Sequence, residues 1–458
     1  MQQSGVVERQ YKKPAPAGKQ HWRQQMNEIT AGQLRLDDTS NIDRIYKKIT
    51  WRLIPFLLFC YILSYLDRVN IGFAKLQMLG DLQLSDAVYG MGAGVFFLGY
   101  FFFEVPSNII MHKVGARRWI ARIMISWGVL SAAMMFVESA TSFYVLRFLL
   151  GLAEAGFFPG IIYYLTRWYP ADRRGRATSL FLTAIALAGV IGGPLSGWIM
   201  RDTNGLAGLA GWQWMFLFEG IPSVLAGFFL LRYLDDKVED ATWLTDAEKR
   251  EVIALLQTEE VGKSHSSARK AFSSGKTWLL SAIYFLFVFS LYGISFWLPA
   301  IIKAAGVQDV LDIGLLSALP WAAGVIAMLL IARSADRRGE RRWHIAIPAL
   351  AGTIGFIISV KFSANVPIAM LGMAVATMGI MSALPIFWSI PTAYLGGAGA
   401  AAGIALINSF GNLSGFAGPS LMGWIKSATG SLDSGVYMLA ACLLAGGLLT
   451  LLTPPRVR

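Results

Sequence analysis

The sequence predicts an all-α membrane protein: about twelve transmembrane helices in two six-helix bundles that repeat in parallel orientation. Three observations predict it. The 458-residue chain is 55% apolar and only 15% charged, against about 25% charged in soluble domains. The deficit is concentrated in runs of about 20 residues, the length that crosses a hydrocarbon core as a helix. Short sequence pieces also recur in the same order at a spacing of about 225 residues. A soluble chain would need a single core larger than chains of this size normally build. The 28 Phe, 15 Trp and 15 Tyr suit membrane interfaces, where amphipathic rings anchor helix ends.

Residues 1–47 are polar, with Lys12, Lys13, Pro14 and Pro16 early on. They contain no apolar h-region, so no signal peptide is expected and the stretch reads as a solvated cytoplasmic tail. The first bundle is assigned to residues 48–235. Its first span, 49–73, is interrupted near its end by Asp67 and Arg68. The next five spans cover 88–111, 119–137, 143–168, 177–200 and 214–234. A polar connection, 236–275, carries Asp246, Glu248, Lys249, Arg250 and Glu251, then a Ser-rich patch at 264–267. The second bundle, 276–453, holds spans at 277–302, 313–332, 343–360, 367–394, 398–425 and 435–452. Residues 454–458 are a short cytoplasmic tail.

The net charge of +12 raises the question of nucleic acid, and its placement answers it. Most Lys and Arg fall in the N-terminal segment, in every second loop, in the middle connection and at the C-terminus. The alternate loops hold only Lys75, Arg201, Lys303, Lys361 and Lys426. Such alternation orients a membrane protein with its basic loops in the cytoplasm. Both termini are therefore expected to be cytoplasmic in a cell inner membrane, with the bilayer and no nucleic acid as partner. The two cysteines, Cys60 and Cys442, sit in apolar runs, and the four histidines are scattered. Neither set has disulfide or metal spacing. No metal and no cofactor is expected.

The repeat rests on three pieces. Lys113-Val-Gly115-Ala-Arg117-Arg118-Trp119 matches Arg337-Arg-Gly339-Glu-Arg341-Arg342-Trp343. Gly193-Pro194-Leu-Ser-Gly197-Trp198 is similar to Gly418-Pro419-Ser-Leu-Met-Gly423-Trp424, and Phe158-Pro159 sits at the offset of Leu384-Pro385. Parallel halves of this kind occur in one large class of secondary transporters, with the site near mid-membrane between the halves.

The basic loops resemble the signature loop of the major facilitator superfamily. The second copy, running from Asp336 to Arg342, fits closely; the first has His112 where the family usually has Asp. Tyr65-Leu-Asp67-Arg68-Val-Asn70-Ile-Gly72, Pro106-Ser-Asn108, Arg147-Phe-Leu-Leu-Gly151-Leu-Ala-Glu154-Ala-Gly156-Phe-Phe-Pro159-Gly160, Gly211-Trp-Gln213-Trp and Phe387-Trp388 resemble its anion:cation symporter branch. The resemblance runs from about residue 47 onward. It is nearest to bacterial permeases for tartrate, sugar acids such as rhamnonate, and aromatic acids such as phthalate or hydroxyphenylacetate.

A charge at mid-bilayer costs about 2.5–3.5 kcal/mol on insertion scales, so each one needs a reason. The candidates are Asp67, Arg68, Glu104, Arg147, Glu154 and Glu219, all in the first half. Arg147 and Glu154, seven residues apart, share a helix face about 10.5 Å apart along the axis, with Gly151 leaving room between them. An Arg offers a planar fork for a carboxylate, and a carboxyl kept from water exchanges a proton readily. Glu104 and Glu219 read as helix ties, and Asn412 and Tyr292 as packing. Asn408 and Asn412 share a face.

The resemblance adds roles. It implies that Arg68 contacts a substrate carboxylate, with Tyr65, Arg147, Trp388 and Asn408 contributing. Asp67 and Glu154 become the protonatable pair. Gly115, Arg117, Arg118, Asp336, Arg337 and Arg341 gate and set topology. The resulting expectation is a transporter, not an enzyme, that imports a small organic anion by proton symport through alternating access, driven by the proton gradient. An exchanger or uniporter of the same fold stays open beside it. More distant are a membrane enzyme, which lacks a nucleophile–base pair here, and a non-transporting sensor, which lacks a regulatory domain. Gly189-Val-Ile-Gly192-Gly193-Pro194-Leu-Ser-Gly197 resembles an exchanger pattern, but close helix packing explains it as well. The sequence decides neither the substrate nor the oligomeric state, a monomer being one state it allows.

Overall fold

The protein is described by a computed structural model covering residues 17–260, 273–394 and 400–453. Among the described residues there are fifteen α-helices and no strand. In order they are α1 (Ala17–Val69), α2 (Ile71–Asp81), α3 (Asp86–Val114), α4 (Ala116–Ala133), α5 (Ala140–Glu154), α6 (Phe157–Thr166), α7 (Ala171–Asp202) and α8 (Gly211–Tyr233) in the first half. α9 (Asp246–Glu260) lies in the connection. The second half holds α10 (Gly275–Ala304), α11 (Val310–Arg338), α12 (Arg342–Lys361), α13 (Val366–Tyr394), α14 (Ala400–Thr429) and α15 (Asp433–Thr450).

Among the described residues, eleven segments are long and apolar enough to cross a membrane. α14 falls outside that set because Asn408, Ser409, Asn412, Ser414 and Ser420 dilute its apolar content. Large apolar side chains point outward around the bundle, including Phe102, Phe136, Leu330, Leu371 and Trp424. Water would not tolerate that belt, and a hydrocarbon surround does.

Local sequence decides where the helices start and break. Ser85 caps α3 by accepting from Val88 N at 3.2 Å, and Ser139 caps α5 in a capping box with Ser142. Two spans are broken, at positions that the apolar pattern does not mark. The first is interrupted at Asn70, between α1 and α2. The fourth is interrupted at Ala155 and Gly156. Gly156 is left-handed, with φ of 91°, and a Cβ there would lie 2.3 Å from Ser107 Oγ. Glycine is the residue that permits both the φ and the approach.

The segment read as a solvated tail is helical from Ala17 onward and runs unbroken into the first span. Its last turns are packed: Ile45 and Tyr46 are buried, and Arg173 pairs with Asp43 at 2.6 Å. The connection docks on the same face. Lys48 Nζ meets Glu248 at 2.9 Å, Asn41 Nδ2 donates to Glu251 at 2.9 Å, and Trp243 stacks on Trp168. The Ser-rich patch at 264–267 and the terminal residues 454–458 lie outside the described residues.

We call the side bearing the basic loops the basic face. The halves meet mainly through α3 with α14 and α7 with α11. Their closest approaches lie toward the opposite face. Cβ atoms built on Gly90 and Gly193 would lie 2.5 Å from Pro419 O and Gly314 O, respectively. Small residues let backbones approach this closely, so the glycine pattern of α7 serves inter-half packing. Tyr89 donates to Phe296 O at 2.6 Å and Lys303 Nζ to Leu76 O at 2.9 Å, sealing the same end. Lys75 lies there too, paired with Asp86 and over the Trp297 ring.

Candidate functional site

The two broken spans bring helix ends into the middle of the protein. Arg68 occupies the last turn of α1, where a cation complements the helix dipole. Glu154 is the last residue of α5. The two meet in a buried salt bridge, Arg68 Nη2 to Glu154 Oε1. Ser64 Oγ donates to the same carboxylate oxygen at 2.8 Å. From the other half, Tyr292 OH accepts from Arg68 Nη1 at 3.1 Å. The guanidinium also lies within 6.0 Å of the ring centres of Phe96, Phe97 and Tyr100, where ring faces attract cations.

The cluster keeps unused hydrogen-bonding capacity. Arg68 Nε, Glu154 Oε2 and Arg147 Nη1 have no partner. Buried polar atoms are normally satisfied, so these mark a place for a polar ligand or water. Tyr65, also buried, shares a hydrogen bond with Ser295 of the second half at 3.2 Å and packs edge-on to Trp321. A cavity between the halves is lined by Tyr65, Asn70, Ser196, Ser295, Ser317 and Trp321 among others.

The other expected residues fall in different places. Arg147 is fully buried, and its guanidinium bonds the backbone carbonyls of Gly92, Ala93 and Arg68 at 3.3–3.5 Å. It ties α5 to α3 and α1. Asp67 does not meet Glu154. Its carboxylate faces the first-half interior and accepts from Trp127 Nε1 (2.9 Å), Ser131 Oγ (2.7 Å) and Ser223 Oγ (2.6 Å). Trp388 packs edge-on to Tyr284 on the second-half side. Asn408 and Asn412 both donate to Glu104, at 3.5 and 3.1 Å, joining α14 to α3. The helix tie read for Glu104 is thus a link between halves.

The loop residues stay within their own halves. Arg341 pairs with Asp336 at 2.5 Å, while Arg337 is exposed. Gly115, with φ of 97°, turns α3 into α4. Arg118 is exposed, and Arg117 N donates to Asp236 at 2.8 Å. Asp236, just past α8, supplies the carboxylate that His112 leaves absent from the first loop.

Ser64, Tyr292 and the aromatic ring set were not singled out as ligands by sequence reasoning. One signal was available: Ser290 and Tyr292 sit at the repeat offset of Ser64 and Tyr65.

Comparison with known proteins agrees with this architecture. The profile of the Major Facilitator Superfamily matches residues 57–419. NicT of Pseudomonas putida, named as a candidate metabolite transport protein, is 49% identical over 90% of this chain and 95% of its own. A candidate tartrate transporter of Agrobacterium vitis is 47% identical over 89% and 91%. A quinolone resistance transporter of Acinetobacter baumannii is 40% identical over 89% and 94%. Among solved structures, the inward-open xylose transporter XylE from E. coli superposes with a TM-score of 0.69, at 14% identity, over 89% of this chain and 97% of that one. That likeness speaks for the fold. The chain is a multi-pass membrane protein of the Major Facilitator Superfamily, a family of small-molecule transporters and not of enzymes.

Proposed function

We propose that this transporter takes up a small organic carboxylate together with a proton, by alternating access between its two halves. One observation carries the reading: Glu154 is ion-paired with Arg68. A carboxylate is already seated on a guanidinium that reaches across to the second half. Protonating Glu154 removes its charge and releases the fork of Arg68 for an incoming carboxylate, which Arg binds with geometric specificity. Losing the proton restores the internal pair and expels the substrate. Proton and anion are then obliged to travel together.

Tyr65 lines the inter-half cavity and Tyr292 bonds Arg68; with Trp388 they would supply stacking and hydroxyl contacts. Arg147 and Asp67 hold the helices that carry Arg68 and Glu154. The relatives' names support a small organic acid such as tartrate as the class to test first. The basic loops support an inner-membrane location with both termini in the cytoplasm. The proton gradient is the driving force, with no cofactor.

The test is uptake of labelled carboxylates into proteoliposomes with an imposed pH gradient. Wild type should accumulate its acid only with the gradient, and Arg68→Lys should lose about tenfold or more, since Lys cannot supply the bidentate fork. Glu154→Gln should abolish accumulation yet keep counterflow. Accumulation that ignores the gradient sinks the coupling. Counterflow without any net uptake in wild type would identify an exchanger.

A further inference from the structure

The first half holds a second buried carboxyl that the cycle above does not use. Glu219, on α8, is 3% exposed. Its Oε1 accepts from Ser196 Oγ of α7 at 2.7 Å, while Oε2 has no partner. Asn70, at the break between α1 and α2, faces this carboxyl. It is 1% exposed, and neither its Oδ1 nor its Nδ2 completes a hydrogen bond. Asn70 and Ser196 also line the inter-half cavity, and Glu219 is bonded to Ser196. Three buried polar atoms without a completed hydrogen bond therefore gather beside the inter-half cavity.

The charges around Glu219 narrow what can bind. Asp67 on α1 is the charged group whose field reaches it. α7 presents Ser196, and α4 presents Gly128 and Ala132 beside Gly220. Ser223, one turn further along α8 than Glu219, bonds Asp67, so the two carboxyls are neighbours beside α8. Two carboxylates this close do not both stay ionised in a dry site. Asp67 has three donors within hydrogen-bond distance, whereas Glu219 has Ser196 there and Asn70 only facing it, so the negative charge rests on Asp67. A proton on Glu219 Oε2 completes the arrangement, because Asn70 Oδ1 can accept from it.

We propose that Glu219 is a second proton-binding site, distinct from the Arg68–Glu154 pair, that exchanges its proton with the inter-half cavity past Asn70 and Ser196. The step is addition of a proton from cavity water to the carboxylate and its return, with no other bond made or broken. Because Asn70 is the break residue of the first span, occupancy of Glu219 also bears on the hinge beneath Arg68. Use of this site in transport rests on the proton-coupled reading above; its existence does not.

The experiment is an infrared pH titration of the full-length protein in lipid, without substrate, following the carbonyl stretch of protonated carboxyl groups. Glu219→Gln should lose one titrating component that Glu154→Gln and Asp67→Asn retain. Ser196→Ala should keep that component with its midpoint about one pH unit higher, having lost a donor to the charged form. This arm keeps the test valid if Glu219→Gln fails to fold. A Glu219→Gln spectrum with every wild-type component, or an unmoved midpoint in Ser196→Ala, overturns the proposal. Failure of the substrate reading would appear instead as carboxylate uptake indifferent to Arg68→Lys, with this titration unchanged.

Discussion

Consecutive residues on a helix point about 100° apart, and this rule decides the division of labour at Asp67 and Arg68. Arg68 reaches Glu154 and the second half, so Asp67 must face elsewhere, and it does, into three donors from α4 and α8. Asp67→Asn replaces an acceptor with an NH2 group aimed at donors. Leaving buried groups unsatisfied costs about 1–3 kcal/mol. We expect this variant to melt at lower temperature than wild type while its Arg68–Glu154 chemistry persists, as measured by thermal unfolding and counterflow. The placement of Arg68 and Glu154 inside apolar runs was legible, and charges there need a reason. Their pairing was not. Periodicity put Arg147 on the face of Glu154, but Glu154 ends its helix at the Gly156 break and turns to α1, while Arg147 is taken up by backbone carbonyls.

At the scale of elements, the α7–α11 contact is the clearest mechanical feature. Gly193 and Gly314 pack backbone to backbone, so a Cβ on Gly193 would lie 2.5 Å from Gly314 O. Gly193→Ala should cost the closed arrangement of the opposite face about 1–3 kcal/mol, as overpacking does. Cysteine labelling from that face should become faster and uptake slower. The docked connection behaves differently. Lys48 donates to Glu248 and the Thr245 backbone caps it, holding its carboxyl below the usual glutamate range. A depressed value means stability that is present above the unfolded value of about 4.3 and lost as pH falls through the folded one. We expect amide protection in α9 to fall in that acid window, and Lys48→Ala to reduce the pH dependence. The breaks at Asn70 and Gly156 were hidden from the sequence because apolar content runs through them. Glycine and asparagine hinted at them, but tertiary contacts decide whether a helix bends or stops.

For the whole molecule, span order and the pairing of halves were readable because membrane length and basic loops are strong, long-range signals. Which face is closed was not readable. That depends on whether Gly90, Gly193 and their partners are engaged, and the same residues exist in every state of the cycle. The structure is sealed at the face away from the basic loops, by the glycine contacts and by the hydrogen bonds of Tyr89 and Lys303.

The seated Glu154 has a consequence for electricity. Empty, the pair of Arg68 and ionised Glu154 sums to zero. Loaded, Arg68, a protonated Glu154 and a monoanion also sum to zero. Neither reorientation drags net charge through the bilayer, where one charge would feel about 2.3 kcal/mol per 100 mV. Uptake of a monocarboxylate should therefore ignore a potassium diffusion potential set with valinomycin at fixed pH gradient. A dianion adds one negative charge, which the pair does not cancel. Uptake of a dicarboxylate should therefore be voltage-sensitive while that of a monocarboxylate stays flat.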